Sequence, residues 1–121
     1  NLSGSNLYQV NLVNAFAEGA NFVRSNISGG AGLTGGNFKG ANFEGANLLG
    51  SGLAGTNLMG ANFANANLSK VDLKGANLTG AILTNADLTD AQINYPQTGI
   101  IGIPKSLPLG WKLVNGALSP K

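Results

Sequence analysis

Large apolar residues recur at every fifth position: Leu2, Leu7, Leu12, Ala17, Phe22 and Ile27, then, after a slip of one residue, Leu33 and each fifth residue to Ile93. Of these 19 centres, 18 are Leu, Phe or Ile, and Ala17 is the exception. The residue before the centre is Asn or Asp in 14 of 19 units, and the residue two before it is Ala, Ser, Thr or Gly in 16 of 18. Two after the centre, 11 of 19 residues are Gly. A helix buries residues at a spacing of about 3.6 and a strand at about 2, so neither accounts for a period of five. Inward positions at the small and the large residue, with a turn-forming Gly or Asn in each unit, describe a chain that bends once per unit. Frequent bends wind the chain into coils, which stack at about 4.8 Å through main-chain hydrogen bonds.

A stretch such as Ala41-Asn42-Phe43-Glu44-Gly45-Ala46-Asn47-Leu48 resembles the A(D/N)LXX unit of the pentapeptide-repeat family, and the likeness covers residues 1–95. The resemblance implies an all-β fold, a right-handed quadrilateral β-helix with four units to a coil, so that 19 units make just under five coils. Residues about twenty apart then stack. One column reads Leu2, Phe22, Phe43, Phe63, Leu83, and another sets Ala17 beneath Phe38, Leu58 and Leu78. Phe22, Phe38, Phe43, Leu48, Leu58, Phe63, Leu68 and Leu78 are the predicted structural core. The slip falls in Ser28-Gly29-Gly30-Ala31-Gly32, where glycines allow a bulge of one residue at a corner.

After Ile93 the pattern stops. Residues 96–121 hold all four prolines, the single Trp and three of the seven basic residues. Asn115-Gly116 between Val114 and Ala117 predicts a two-residue hairpin. The run Leu107-Pro108-Leu109-Gly110-Trp111-Lys112-Leu113 is similar to a module that recurs in cyanobacterial pentapeptide-repeat proteins. A stacked solenoid leaves strand edges and an open core at its end, so residues 96–121 are read as a C-terminal cap, with Trp111 and Ile100, Ile101 or Ile103 over the last coil. The chain opens at Asn1, inside a repeat, without an initiator Met or signal-like stretch. No cap is visible at that end, which is expected to stack on another copy or to have carried a capping segment; a monomer or an end-to-end dimer fits.

Composition narrows the function. Only 10 % of residues are charged, against about 25 % in ordinary domains, yet no apolar run approaches the roughly 18 residues of a membrane span. With 43 % hydrophobic residues and a net charge of +2, the chain is not of the disordered class. It has no Cys and no His, which removes thiol chemistry, Cys/His metal sites and the commonest general base. Five carboxylates remain: Glu18 and Glu44 are expected to point outward, and Asp72, Asp87 and Asp90 to sit at turns, none converging on a cleft. No catalytic residue, cofactor site or metal site is expected. Two GxGxxG matches, Gly30–Gly35 and Gly50–Gly55, lack the strand-to-helix setting of a nucleotide loop. The sequons at Asn26, Asn67 and Asn77 are likewise products of the repeat.

Some members of the resembled family imitate duplex DNA and bind DNA gyrase. Imitation needs an acidic surface that copies the phosphate field, but residues 1–95 carry five acidic groups against Arg24, Lys39, Lys70 and Lys74. Gyrase-directed mimicry is therefore the alternative reading, disfavoured by charge. Direct nucleic-acid binding lacks a basic stripe or stacking aromatics, and ice binding lacks long Thr columns. The expectation is a non-enzymatic scaffold with an unidentified protein partner, binding neither nucleic acid nor membrane. Outward Tyr8, Val13, Val23, Leu49 and Met59 are the apolar candidates for contact, and Trp111 is the candidate at the cap.

Overall fold

The structure, a computed structural model, describes all 121 residues. It contains no helix, and so none long and apolar enough to cross a membrane. From residue 1 to residue 93 the chain follows a square path of short extended pieces joined by turns, closing one coil in about twenty residues: Asn42 pairs in parallel with Asn62, and Asn47 with Asn67. A typical unit ties to the next coil by three main-chain bonds. On the wall that holds Phe43, Phe43 N–H donates to the Asn62 carbonyl (2.7 Å), Gly45 N–H to the Ala64 carbonyl (2.9 Å), and Asn62 N–H to the Ala41 carbonyl (3.0 Å). Of 73 main-chain hydrogen bonds, only 4 lie within named strands, so the coil-to-coil ladder and the corner turns hold the fold.

The corners after the centres from Leu2 to Leu88 share one build, apart from that after Ile27. Ala46 N–H donates back to the Phe43 carbonyl (2.9 Å) and Gly45 has φ +65°. A four-residue turn with only its third residue at positive φ is of type II, which favours Gly there. The left-handed residue is thus the one two after the centre. Gln9, Asn14, Arg24, Asn65, Lys70, Asn85 and Asp90 hold it without being Gly, at φ between 56° and 60°. The Asn before the centre has another task, which corrects the expectation that it turns the chain. Its side-chain oxygen accepts the N–H two residues ahead, as from Asn42 to Glu44 (3.0 Å) and from Asn62 to Ala64 (2.9 Å), an N–H that points away from the ladder.

The slip at residue 30 is a corner of two successive left-handed glycines, Gly29 (φ +73°) and Gly30 (φ +79°). The Tyr8 ring lies over Gly29, where any Cβ would collide with it. Bridge spacing passes from Asn6↔Asn26 to Asn11↔Gly32 across this corner and settles back at Gly32↔Gly52, so the insertion is absorbed locally.

Inside the shaft, Phe22, Phe38, Phe43, Leu48, Leu58, Phe63, Leu68 and Leu78 are all 0–1 % exposed. Phe22, Phe43 and Phe63 stack face to face, with centroids 4.9 and 5.0 Å apart and planes within 5°. Phe38 tilts toward both Phe22 and Phe43 (6.0 and 5.9 Å), above the small Ala17, whose N–H donates to the Asn37 carbonyl. Buried hydroxyls at the small position fold back on their own turn: Ser25 Oγ donates to Phe22 O and Thr56 Oγ1 to Leu53 O, both at 2.7 Å. Ser51 Oγ is buried without a partner.

The repeat sequence ends at Ile93, but the ladder does not. Ile101 pairs with Ile82 and Ser106 with Asp87, so residues 100–106 continue two walls of a further coil. The chain then forms a hairpin of β1 (Trp111–Val114) and β2 (Ala117–Pro120), turning at Asn115 (φ +48°) and Gly116 (φ +76°) as a type I′ turn requires. β2 also meets the Gln97 segment, through Gln97↔Leu118, which leaves β1 as the outer strand.

A carboxylate in the shaft has no partner and no water, so Leu58→Asp should abolish the cooperative unfolding transition. Phe43→Ala should lower stability by about 3–5 kcal/mol, while Thr79→Ala, on the outer surface, should stay within about 0.5 kcal/mol. Denaturant unfolding followed by far-UV circular dichroism checks all three.

Candidate functional site

The four walls are set by the residue after each centre. Stacked in order they read Ser3, Val23, Glu44, Ala64, Thr84 on the first wall and Tyr8, Ser28, Leu49, Ser69, Thr89 on the second. The third carries Val13, Thr34, Ala54, Lys74 and Asn94, and the fourth Glu18, Lys39, Met59 and Thr79. The five apolar candidates are therefore spread over all four walls. Tyr8, Val13, Leu49 and Met59 are exposed and Val23 is half-buried, but no wall assembles them into a patch, and scattered exposed apolar groups are normal. Glu18 and Glu44 face solvent on different walls, Asp90 occupies a corner, and no three carboxylates come together.

Exposed large apolar residues lie at both ends of the chain: Leu2, Tyr8, Val13 and Phe16 in the first coil are 38–91 % exposed, and Tyr95, Ile101, Ile103, Leu109 and Val114 at the other end are 53–97 % exposed. Of the three isoleucines expected to cover the last coil, one is buried. Ile100 is buried at 6 %, whereas Ile101 and Ile103 face solvent. Trp111 is half-buried and packs on the margin of the core. The side chain fully enclosed over the last coil is Leu118 of β2.

The end of the ladder depends on side-chain amides that the repeat pattern does not announce. Leu78 N–H donates to Gln97 Oε1 (2.9 Å), and Gln97 Nε2 donates to the Ala76 carbonyl (3.1 Å). The Gln97 amide thus occupies the place of a next-coil peptide group on the fourth wall. On the third wall Gly75 N–H donates to Asn94 Oδ1 (2.8 Å). Spacings of 19 to 21 residues are the sequence signal for these pairs.

On the second wall Asp87 gathers three donors: Ser106 Oγ (2.5 Å), Thr89 Oγ1 (2.7 Å) and Thr89 N–H (3.0 Å). The Ser106 hydroxyl, the Thr89 hydroxyl and N–H, and the charge of Lys105 lower its pKa from 3.8 to about 2. Deprotonated Asp87 so ties residues 105–106 to the coil beneath.

An open cavity of about 840 Å³ lies between residues 102–110 and the hairpin. Ile103, Leu107, Leu109, Trp111 and Leu113 supply apolar lining, with Pro104 and Pro108, and Lys105, Lys112 and Lys121 border it. It is the single cavity of the molecule; the shaft of the repeats is filled.

This architecture defines a β-solenoid of quadrilateral, right-handed type. Residues 1–31, 30–63 and 56–94 match the sequence profile of the family described as pentapeptide repeats, with eight copies, and the chain belongs to that family. It is similar to a pentapeptide repeat protein of the Arabidopsis thaliana thylakoid lumen, at 31 % identity and TM-score 0.74, over 82 % of this chain and 66 % of that one. It is also similar to the pentapeptide repeat protein Rfr23 of the cyanobacterium Cyanothece 51142, at 33 % identity and TM-score 0.68, over 82 % and 63 %. The chain thus spans less than two thirds of the length of either. QnrB1, a plasmid-mediated fluoroquinolone resistance protein, shares the fold at 21 % identity and TM-score 0.52, over 81 % of this chain and 53 % of QnrB1. Among curated proteins no significant sequence match is found.

Two outcomes test the end of the solenoid. Gln97→Leu leaves Leu78 N–H and the Ala76 carbonyl buried and unpaired, at about 1–3 kcal/mol each, and should speed tryptic cleavage after Lys105. For Asp87, a pKa lowered on folding adds stability above pH 3.8 that is lost as pH falls through about 2. Thermal melts between pH 5 and pH 2 should show this loss in the wild type, and Asp87→Asn should flatten it.

Proposed function

We propose that this chain is a non-enzymatic scaffold on which another protein docks. The observation that carries the reading is the filled shaft: the centres from Phe22 to Leu88 are at most 1 % exposed, so the repeats enclose no space for a substrate. A solenoid whose coils contact only their neighbours makes a stiff rod, suited to holding a partner at a fixed place. Exposed Ile101, Ile103, Leu109 and Val114 of the terminal segment offer such a partner a contact.

Gyrase-directed DNA mimicry is the second reading, prompted by the shared fold of QnrB1. At 21 % identity that likeness concerns the fold alone. The walls do not favour mimicry, since Lys39 stacks over Glu18 on the fourth wall and the repeats carry nearly equal numbers of acids and bases. Affinity capture from the source organism should return one stoichiometric protein partner, and a supercoiling assay should show gyrase neither inhibited nor protected from a fluoroquinolone. Protection at sub-micromolar protein would replace the scaffold by the mimic.

A further inference from the structure

We propose that the cavity at the C-terminal end is a docking site for an extended, acidic and apolar segment of a partner protein. The inference rests on the scaffold reading and narrows it to one end of the rod. Two features of the cavity select this ligand.

The first is charge. Lys105, Lys112 and Lys121 all border the cavity, and residues 96–121 contain no Asp or Glu. The nearby acid, Asp87, already accepts hydrogen bonds from Ser106 and Thr89. Three cations around an apolar surface are complementary to a chain that alternates carboxylates with apolar side chains.

The second is shape. Pockets for small molecules enclose most of their ligand, whereas this cavity is open and runs along nine consecutive residues, 102–110, beside the hairpin. A strand of a larger protein, covered on its far side by its own fold, fits an open trough. β1 is the outer strand of the terminal sheet, and an outer edge accepts an extended peptide by main-chain pairing. Leu109 and Ile103, 97 % and 80 % exposed, would be covered by such a segment. A bilayer is flat and would touch the rim of the trough without entering it.

Trp111, the only Trp in the chain, lines the cavity, so its emission reports occupancy directly. The probe is a ten-residue peptide alternating Glu with Leu and Val, compared with the same peptide carrying Lys for Glu and with phosphatidylserine vesicles. The acidic peptide should shift Trp111 emission saturably, and added salt should weaken it roughly tenfold, as screening of surface charge requires. Leu109→Asp and Lys112→Glu should each weaken it roughly tenfold with unchanged melting temperature, both side chains being exposed. Equal binding of the basic peptide, a response to vesicles alone, or no response to the acidic peptide would overturn the inference. So would capture of the natural partner undiminished by the Leu109→Asp/Lys112→Glu pair, an outcome that leaves the scaffold reading standing.

Discussion

Everything in this molecule depends on the main-chain bond from one coil to the next. A parallel ladder that runs through all four walls obliges successive coils to follow the same path, since a displaced corner would break the bonds above and below it. The same path places the same kind of residue at the same point of each coil. The five-residue repeat is thus the consequence of stacking. It is also why Phe22, Phe43 and Phe63 come to lie 4.9–5.0 Å apart in near-parallel planes: ring separation follows coil separation.

Polar groups follow the same logic. The ladder satisfies N–H and C=O groups that point along the rod, and the Asn or Asp before each centre takes up an N–H that points sideways. Thirteen such side chains do so, from Asn1 to Asp87. Where the repeats cease, the supply of next-coil peptides ceases with them. Side-chain amides of Asn94 and Gln97 then complete two walls, residues 100–106 the other two, and Leu118 covers the core.

The repeat made the shaft legible in the sequence, because each inward position is stated many times over. The tasks within the unit are less legible. Asn and Gly both favour turns, and composition alone does not say which of them bends the chain; Lys70 and Arg24 at φ 58° and 56° show that the corner tolerates ordinary residues, while the Asn is chosen for its side-chain oxygen. The terminal segment is less legible. Its hairpin is announced by Asn115-Gly116, but Gln97 acquires its role only from a partner about twenty residues away, and no repeat marks Leu118 as the enclosed cover. The spread of Val23, Leu49 and Met59 over separate walls follows from stacking the units in fours, a step that separates a patch from a scatter.

The corner at Gly29 and Gly30 has a consequence for how this fold changes. There the chain takes an extra residue, yet the phenylalanine column passes the same level undisturbed, because wall contacts set the phase and the length of the connection does not. The extra residue is thereby confined to a corner and kept out of the walls. A corner of this kind lets a recognition loop be acquired by small genetic steps, each one leaving the rod intact.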